Sequence, residues 1–257
     1  MAYVEINGAP ADAGALHRVA TGNYGHFTSM QVRDRAATGL TLHLQRLRAA
    51  SASLFPDVPV MADEQIRSYL DHALRAERDA SVRVTVVPGA RGTDVMVSVS
   101  APVADVTLPA LRVRTIQYER ELPHLKHVAT MGLTYHLLQA RRAGFDDVLF
   151  AGRDGLLREG SVWNAAFWDG ERVVWPDAPM LAGITMQVLR IALQELRIPD
   201  EVRPLTSPGG MSAAAAVNSQ WPAQPIAAID ETVFTGGDEL TGLLRRAWDV
   251  VPWEPIS

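Results

Sequence analysis

From Asp147 to Trp175 the chain is cut into short β-rich runs, and this limits its fold more than any other feature. Asp147–Phe150, Leu156–Arg158, Asn164–Trp168 and Arg172–Trp175 are separated by turns carrying Gly152, Gly155, Gly160 and Gly170. Runs of this length and composition read as strands, and glycine supplies the backbone conformations that tight turns require. Strands so short are not stable in isolation, so the stretch must pair into a larger sheet.

Helical periods on either side make the class α+β. Residues Thr41 to Phe55 place Leu42, Leu44, Leu47, Ala50 and Leu54 near a helical spacing, and Asp63 to Arg78 reads as a second helix. Thr130 to Ala143 reads as a helix stopped by Gly144, Thr185 to Leu196 as an amphipathic helix, and Glu239 to Asp249 as a terminal one. Strands are expected at Tyr3 to Asn7, His26 to Arg33, Leu111 to Thr115, Ala213 to Ser219 and Pro225 to Asp230. Val82 to Val87 and Asp94 to Ser100 are joined by Pro88-Gly89-Ala90-Arg91-Gly92, a hairpin connection. The first mixed region ends near Pro109.

Composition removes several functions. The chain has 257 residues and no cysteine, so disulfides, thiolate metal sites and cysteine nucleophiles are excluded. The absence of cysteine fits a cytoplasmic protein, and the N-terminus has neither the basic start nor the apolar run of a signal peptide. No apolar stretch is long enough to cross a membrane. A net charge of −5 argues against a general nucleic-acid binder. His124, His127 and His136 lack a matching carboxylate pattern, so no metal site is expected. The segment Gly89 to Gly92 is read as a turn before a phosphate cradle, and Gly160-Ser161 lacks the second glycine of a nucleophile elbow.

Five motifs remain, in order: Pro123-His124-Leu125-Lys126; Gly144-Phe145-Asp146-Asp147; Glu159-Gly160-Ser161-Val162-Trp163-Asn164; Gly183-Ile184-Thr185; and Asn218-Ser219 followed by Pro225-Ile226 and Ile229-Asp230. His43-Leu44-Gln45-Arg46-Leu47 precedes them. In this order, and with Lys126 and Glu159 at the expected spacing, they resemble the class IV aminotransferases, the fold-type IV enzymes that use pyridoxal 5'-phosphate (PLP). That family includes branched-chain and D-amino acid aminotransferases and 4-amino-4-deoxychorismate lyases. The resemblance implies a small N-terminal α/β domain over residues 1–112 and a larger PLP-binding domain over 118–257 with a β-barrel-like core. It also implies a homodimer.

The resemblance assigns roles residue by residue. Lys126 would carry the cofactor as a Schiff base and move the substrate proton, which needs a lowered lysine pKa. Without the motif it reads as a surface lysine. Glu159 would sit against the pyridine nitrogen and keep it protonated, where the plain reading is a strand-end glutamate. Gly183, Ile184 and Thr185 would present a helix N-terminus to the phosphate, or form an ordinary cap. Arg46 would add a charge-assisted contact to that phosphate, or be a solvated helix charge. Asn218 and Ser219 match a second phosphate contact, or form a plain polar loop. Asn164 belongs to the cofactor-binding set through its motif.

The chain departs from the family after the lysine, where Ala129, Thr130 and Met131 replace an Asn and a following Arg or Tyr near the cofactor's ring oxygen. No Arg-x-His pair lies near Arg91, which speaks against a D-amino acid enzyme. Phe27-Thr28-Ser29 is closer to the "F-T-T" of the lyases, and Thr28 is the expected proton donor to a leaving pyruvate. Three functions follow. The first is a PLP-dependent aminotransferase taking a small-molecule amino donor and acceptor. The second is a pyruvate-eliminating lyase acting on a 4-amino-4-deoxychorismate-like substrate. The third is a non-catalytic binding protein of the same fold.

Overall fold

A computed structural model describes residues 3–90, 92–104 and 106–257. The chain divides into two compact units. The first takes in the chain up to Ala104, with Leu125–Ala129 and Pro252–Ser257; the second takes in the chain onward to His124, then Thr130–Val251. The sequence places the change of domain near 112–118; the compact units divide the chain after Ala104 and assign Leu125–Ala129 and Pro252–Ser257 to the first unit.

The first unit holds β1 (Tyr3–Ile6), β2 (Ala9–Pro10), α1 (Ala13–Thr21), β3 (His26–Arg33), β4 (Ala36–Thr38), α2 (Leu40–Leu54), α3 (Asp63–Leu74), β5 (Ala80–Gly89) and β6 (Gly92–Ser100). A C-terminal strand, Trp253–Pro255, completes a seven-stranded sheet in the order C-terminal strand, β4, β3, β5, β6, β1, β2. Helices α2 and α3 cover one face. Their Leu40, Leu44, Leu47, Ile66, Leu70 and Leu74 pack with Met30, Val32, Val82, Val84, Val95 and Val97. Alternation along each strand sends the intervening side chains to the other face. The β5–β6 hairpin pairs Pro88 with Thr93 and Gly89 with Gly92, while Arg91, named in that turn, lies outside the described residues. Helix α2 follows Gly39, whose φ of 63° is left-handed and which offers no side-chain cap. Glu254 of the C-terminal strand supplies the cap, accepting the Thr41 N–H at 3.0 Å.

The second unit holds β7 (Leu111–Gln117), α4 (Met131–Arg142), β8 (Asp147–Ala151), β9 (Leu157–Gly160), β10 (Asn164–Trp168), β11 (Val173–Pro176), α5 (Ile184–Glu195), β12 (Asp200–Arg203), β13 (Ala213–Val217), β14 (Gln224–Ile229), β15 (Thr232–Val233) and α6 (Gly237–Asp249). Its sheet runs β12, β11, β10, β13, β14, β7, β8, β9, and a further β9–β10 pairing returns the sheet on itself. The six strands from β10 through β13, β14, β7 and β8 to β9 thus close a barrel, confirming the α+β class with a barrel core. Val113, Leu149, Leu157, Trp163, Ala165, Phe167, Ala214 and Ile226 form one of its buried clusters. Ala213–Ala216 is buried throughout, and these small side chains let α6 lie close against β13. On another side α4 places Leu133 and Ala140 over Val148 and Phe150. No helix among the described residues is long and apolar enough to cross a membrane.

Candidate functional site

In the first unit, the segment carrying Lys126 runs antiparallel beside β3 and joins it through one isolated bridge. The Phe27 N–H donates to the Lys126 carbonyl at 2.8 Å, the Val128 N–H donates to the Gly25 carbonyl at 3.0 Å, and His26 pairs with His127. This register fixes which side chains share a face. His26, Thr28, Met30 and Val32 occupy the row under the helices, joined by Leu125, while Lys126 falls in the row of Phe27 and Ser29. The Lys126 ammonium lies 4.9 Å from the Phe27 ring centroid, and the Arg83 guanidinium lies 3.6 Å from the same ring. Arg83 is directly opposite Ser29 in the β3–β5 ladder, and Thr85 is opposite Phe27. The patch thus combines two cations, an aromatic ring and two hydroxyls.

Thr28 lies on the other row. It is fully buried, and its hydroxyl is 2.5 Å from His43 Nδ1 on α2. The structure therefore brings Ser29, not Thr28, into the row of Lys126. Burial pushes His43 down to about 3, with Arg46 and Lys126 adding to the effect, so the imidazole is neutral. Arg46 stands one turn further along α2, half-buried. Burial also pushes His26 down to about 4; its Nε2 is 2.9 Å from the Ser51 hydroxyl.

In the second unit, Glu159 and Asn164 face each other where the barrel closes. Both are buried. Between them they hold the backbone of Leu181: its N–H donates to Glu159 Oε1 at 3.3 Å, and its carbonyl accepts from Asn164 Nδ2 at 2.8 Å. Arg120 Nη1 stands 3.4 Å from the same Glu159 oxygen. The two glycines of these motifs are needed for space. A Cβ on Gly160 would lie 1.9 Å from the Trp163 ring, and one on Gly183 would lie 2.0 Å from Asn164 Oδ1. The paired carboxylate and amide thereby set the approach of the chain to α5.

Helix α5 starts after Gly183, which gives no side-chain cap, and its first turn has no acidic residue. The first intrahelical bond runs from the Gln187 N–H to the Gly183 carbonyl at 3.0 Å. The amides of Ile184, Thr185 and Met186 thus lie outside the helical ladder, in the arrangement that favours an anion. Thr185 is buried there. Val217 pairs with Asn164, so the Asn218–Ser219 turn begins one residue beyond the barrel closure. The Asn218 side-chain oxygen accepts the Gln220 and Trp221 amides at 2.8 and 3.0 Å, which commits it to shaping the turn, with Ser219 half-buried beside it.

Glu159, Asn164, Gly183, Ile184 and Thr185 are thus linked through Leu181, as one connected set. Arg83, Ser29 and Arg120 went unread in the sequence. Strand alternation would have pointed to Ser29, whereas Arg120 carries no local signal. Among the described residues no group of three or more His, Cys, Asp or Glu side chains is arranged to hold a metal ion.

Comparison with known proteins gives these arrangements a context. Residues 25–229 match the family described as amino-transferase class IV. A branched-chain amino acid aminotransferase from Thermobaculum terrenum, solved with PLP, is 18% identical with a TM-score of 0.83, over 97% of this chain and 93% of its own. A fold IV transaminase from Curtobacterium pusillum is 23% identical with a TM-score of 0.78, over 95% and 98%. A Legionella pneumophila protein provisionally named a 4-amino-4-deoxychorismate lyase is 19% identical with a TM-score of 0.76, over 90% and 93%. No curated protein sequence matches the chain.

Proposed function

The chain belongs to the amino-transferase class IV family, and on that premise we propose that it is a PLP-dependent aminotransferase acting on an amino acid or amine, with Lys126 carrying the cofactor. The observation that carries the reading is the Lys126 row, where the ammonium shares the Phe27 ring with Arg83. The residues present fit the cofactor. A buried carboxylate, Glu159, suits a ring nitrogen, and a helix start with no side-chain cap and no acidic residue in its first turn suits a phosphate.

When bound, the cofactor would supply an electron sink for the charge that develops at the substrate's α-carbon. Lys126 takes and returns the α-proton. Glu159, oriented by the Leu181 N–H and Arg120, would hold a proton at the ring nitrogen. The Ile184, Thr185 and Met186 amides, with Arg46 and Ser219, would bind the phosphate. Arg83 binds a substrate carboxylate, because its planar fork matches one. The second reading, elimination of pyruvate from a 4-amino-4-deoxychorismate-like substrate, is favoured by one observation: Ser29 stands in the Lys126 row and can deliver a proton to the leaving group. That role passes to Ser29 from the buried Thr28.

Borohydride reduction of PLP-saturated protein followed by peptide mapping tests the first step. The adduct is expected on Lys126; an adduct elsewhere, or none, overturns the proposal. Keto-acid formation from a panel of amino donors, set against pyruvate release from an aminodeoxychorismate, separates transfer from elimination.

A further inference from the structure

Arg158 adjoins Glu159 on β9, but alternation sends its side chain to the opposite face. That side chain is only 8% exposed. Nη1 donates to the Pro179 carbonyl at 2.8 Å, and Nη2 donates to Glu119 Oε1 and to Asp154 Oδ2, each at 3.1 Å. Gly152 leaves the space, since a Cβ there would lie 2.1 Å from Nη2.

The two arms of this guanidinium lead to one atom. Pro179 is two residues before Leu181, and Glu119 is one residue before Arg120. Leu181 and Arg120 are the groups that meet Glu159 Oε1. The buried guanidinium thus joins the two segments that converge on its neighbour's carboxylate, and the carboxylates it pairs with are themselves partly exposed.

We propose that Arg158 is a positioning residue, which clamps the 119–120 and 179–181 segments and so holds the Glu159 carboxylate in a single orientation. The inference rests on Glu159 serving the cofactor's ring nitrogen. Outer hydrogen-bond partners that orient a ligating group commonly change affinity about 10–100-fold when removed.

The test compares wild type, Arg158→Lys and Arg158→Gln loaded with PLP carrying 15N in the ring. Arg158→Gln is expected to weaken cofactor binding roughly tenfold or more and to move the 15N signal toward that of an unprotonated pyridine. Arg158→Lys, which keeps the charge but lacks the fork, is expected to fall between. Glu119→Gln cuts one arm and serves if Arg158→Gln does not fold. Lower urea stability with unchanged affinity and an unchanged 15N signal makes Arg158 an ordinary structural pair and overturns the proposal. If wild type takes up no PLP on Lys126, the functional reading is what fails. The clamp is then decided in cofactor-free protein by amide exchange at 119–121 and 179–183: faster exchange in Arg158→Gln supports it, and unchanged exchange overturns it.

Discussion

Acid should weaken this protein well before its carboxylates protonate, because the first unit buries two neutral histidines. His43 is held down to about 3 and His26 to about 4, in both cases chiefly by burial. The unfolded chain releases these histidines to a pKa of about 6.5. Their folded pKa values lie below that, so the folded state excludes protons that the unfolded state takes up. Stability is whole above about pH 6.5 and falls as the pH drops toward 4. Near pH 5 the unfolded state binds almost two more protons, so the slope is on the order of 2–3 kcal/mol per pH unit. Between pH 7 and pH 5 the loss is about 4 kcal/mol, a large share of the 5–15 kcal/mol typical of a folded protein. Urea unfolding at pH 7, 6 and 5, followed by tryptophan fluorescence, measures it. His43→Gln should lower stability at pH 7 through loss of the Thr28 contact and halve the slope. A flat wild-type profile between pH 5 and 7, or a full slope in His43→Gln, would show that these imidazoles are not held neutral.

Three further outcomes follow from the geometry. Arg46→Ala should weaken PLP binding by about 1.5–3 kcal/mol while leaving turnover at saturating cofactor nearly unchanged, as read by fluorescence titration; unchanged affinity would make Arg46 a solvated helix charge. Gly183→Ala drives a methyl into Asn164 Oδ1 and should cost about 1–3 kcal/mol in urea unfolding, with a smaller loss when Asn164 is also truncated to Ala. Ser29→Ala should slow the elimination of pyruvate at unchanged fold stability, whereas Thr28→Ala should lower stability first; equal kinetic effects from both would contradict the row assignment.

Long and strongly patterned elements were legible in the sequence. β10 spans Asn164–Trp168 as read, and α2, α4, α5 and β3 fall within a residue or so of their expected limits. The Asp63 helix ends earlier than its pattern suggested, because Arg75 takes a positive φ of 53°. Elements whose existence depends on a distant partner were missed. α1 is amphipathic and has its N-cap in Asp12, which accepts the Ala15 N–H, but it is short and only Ala15 among its residues is buried. β4 is only three residues long, between β3 and the C-terminal strand, and the C-terminal strand exists by pairing with β4 across most of the chain's length.

The candidate site divides along the same line. Motif order singled out Lys126, Glu159, Asn164 and the Gly183 helix start as candidates because each is tied to a turn or helix end written in neighbouring residues. Facing is another matter. Within Phe27-Thr28-Ser29 a motif offers two hydroxyls, and only the register with Lys126 decides which shares its row; shifting a strand by one residue exchanges the faces. Here the local pattern held the answer, since Met30 and Val32 are plainly core and Thr28 keeps step with them. Arg120 and Arg158 left no such trace. Each acts on a group about forty residues away in the chain, Glu159 for the one and Glu119 for the other. A contact that the barrel makes by closing on itself has no spacing in the sequence to announce it, so residues that orient a site are harder to read than residues that form it.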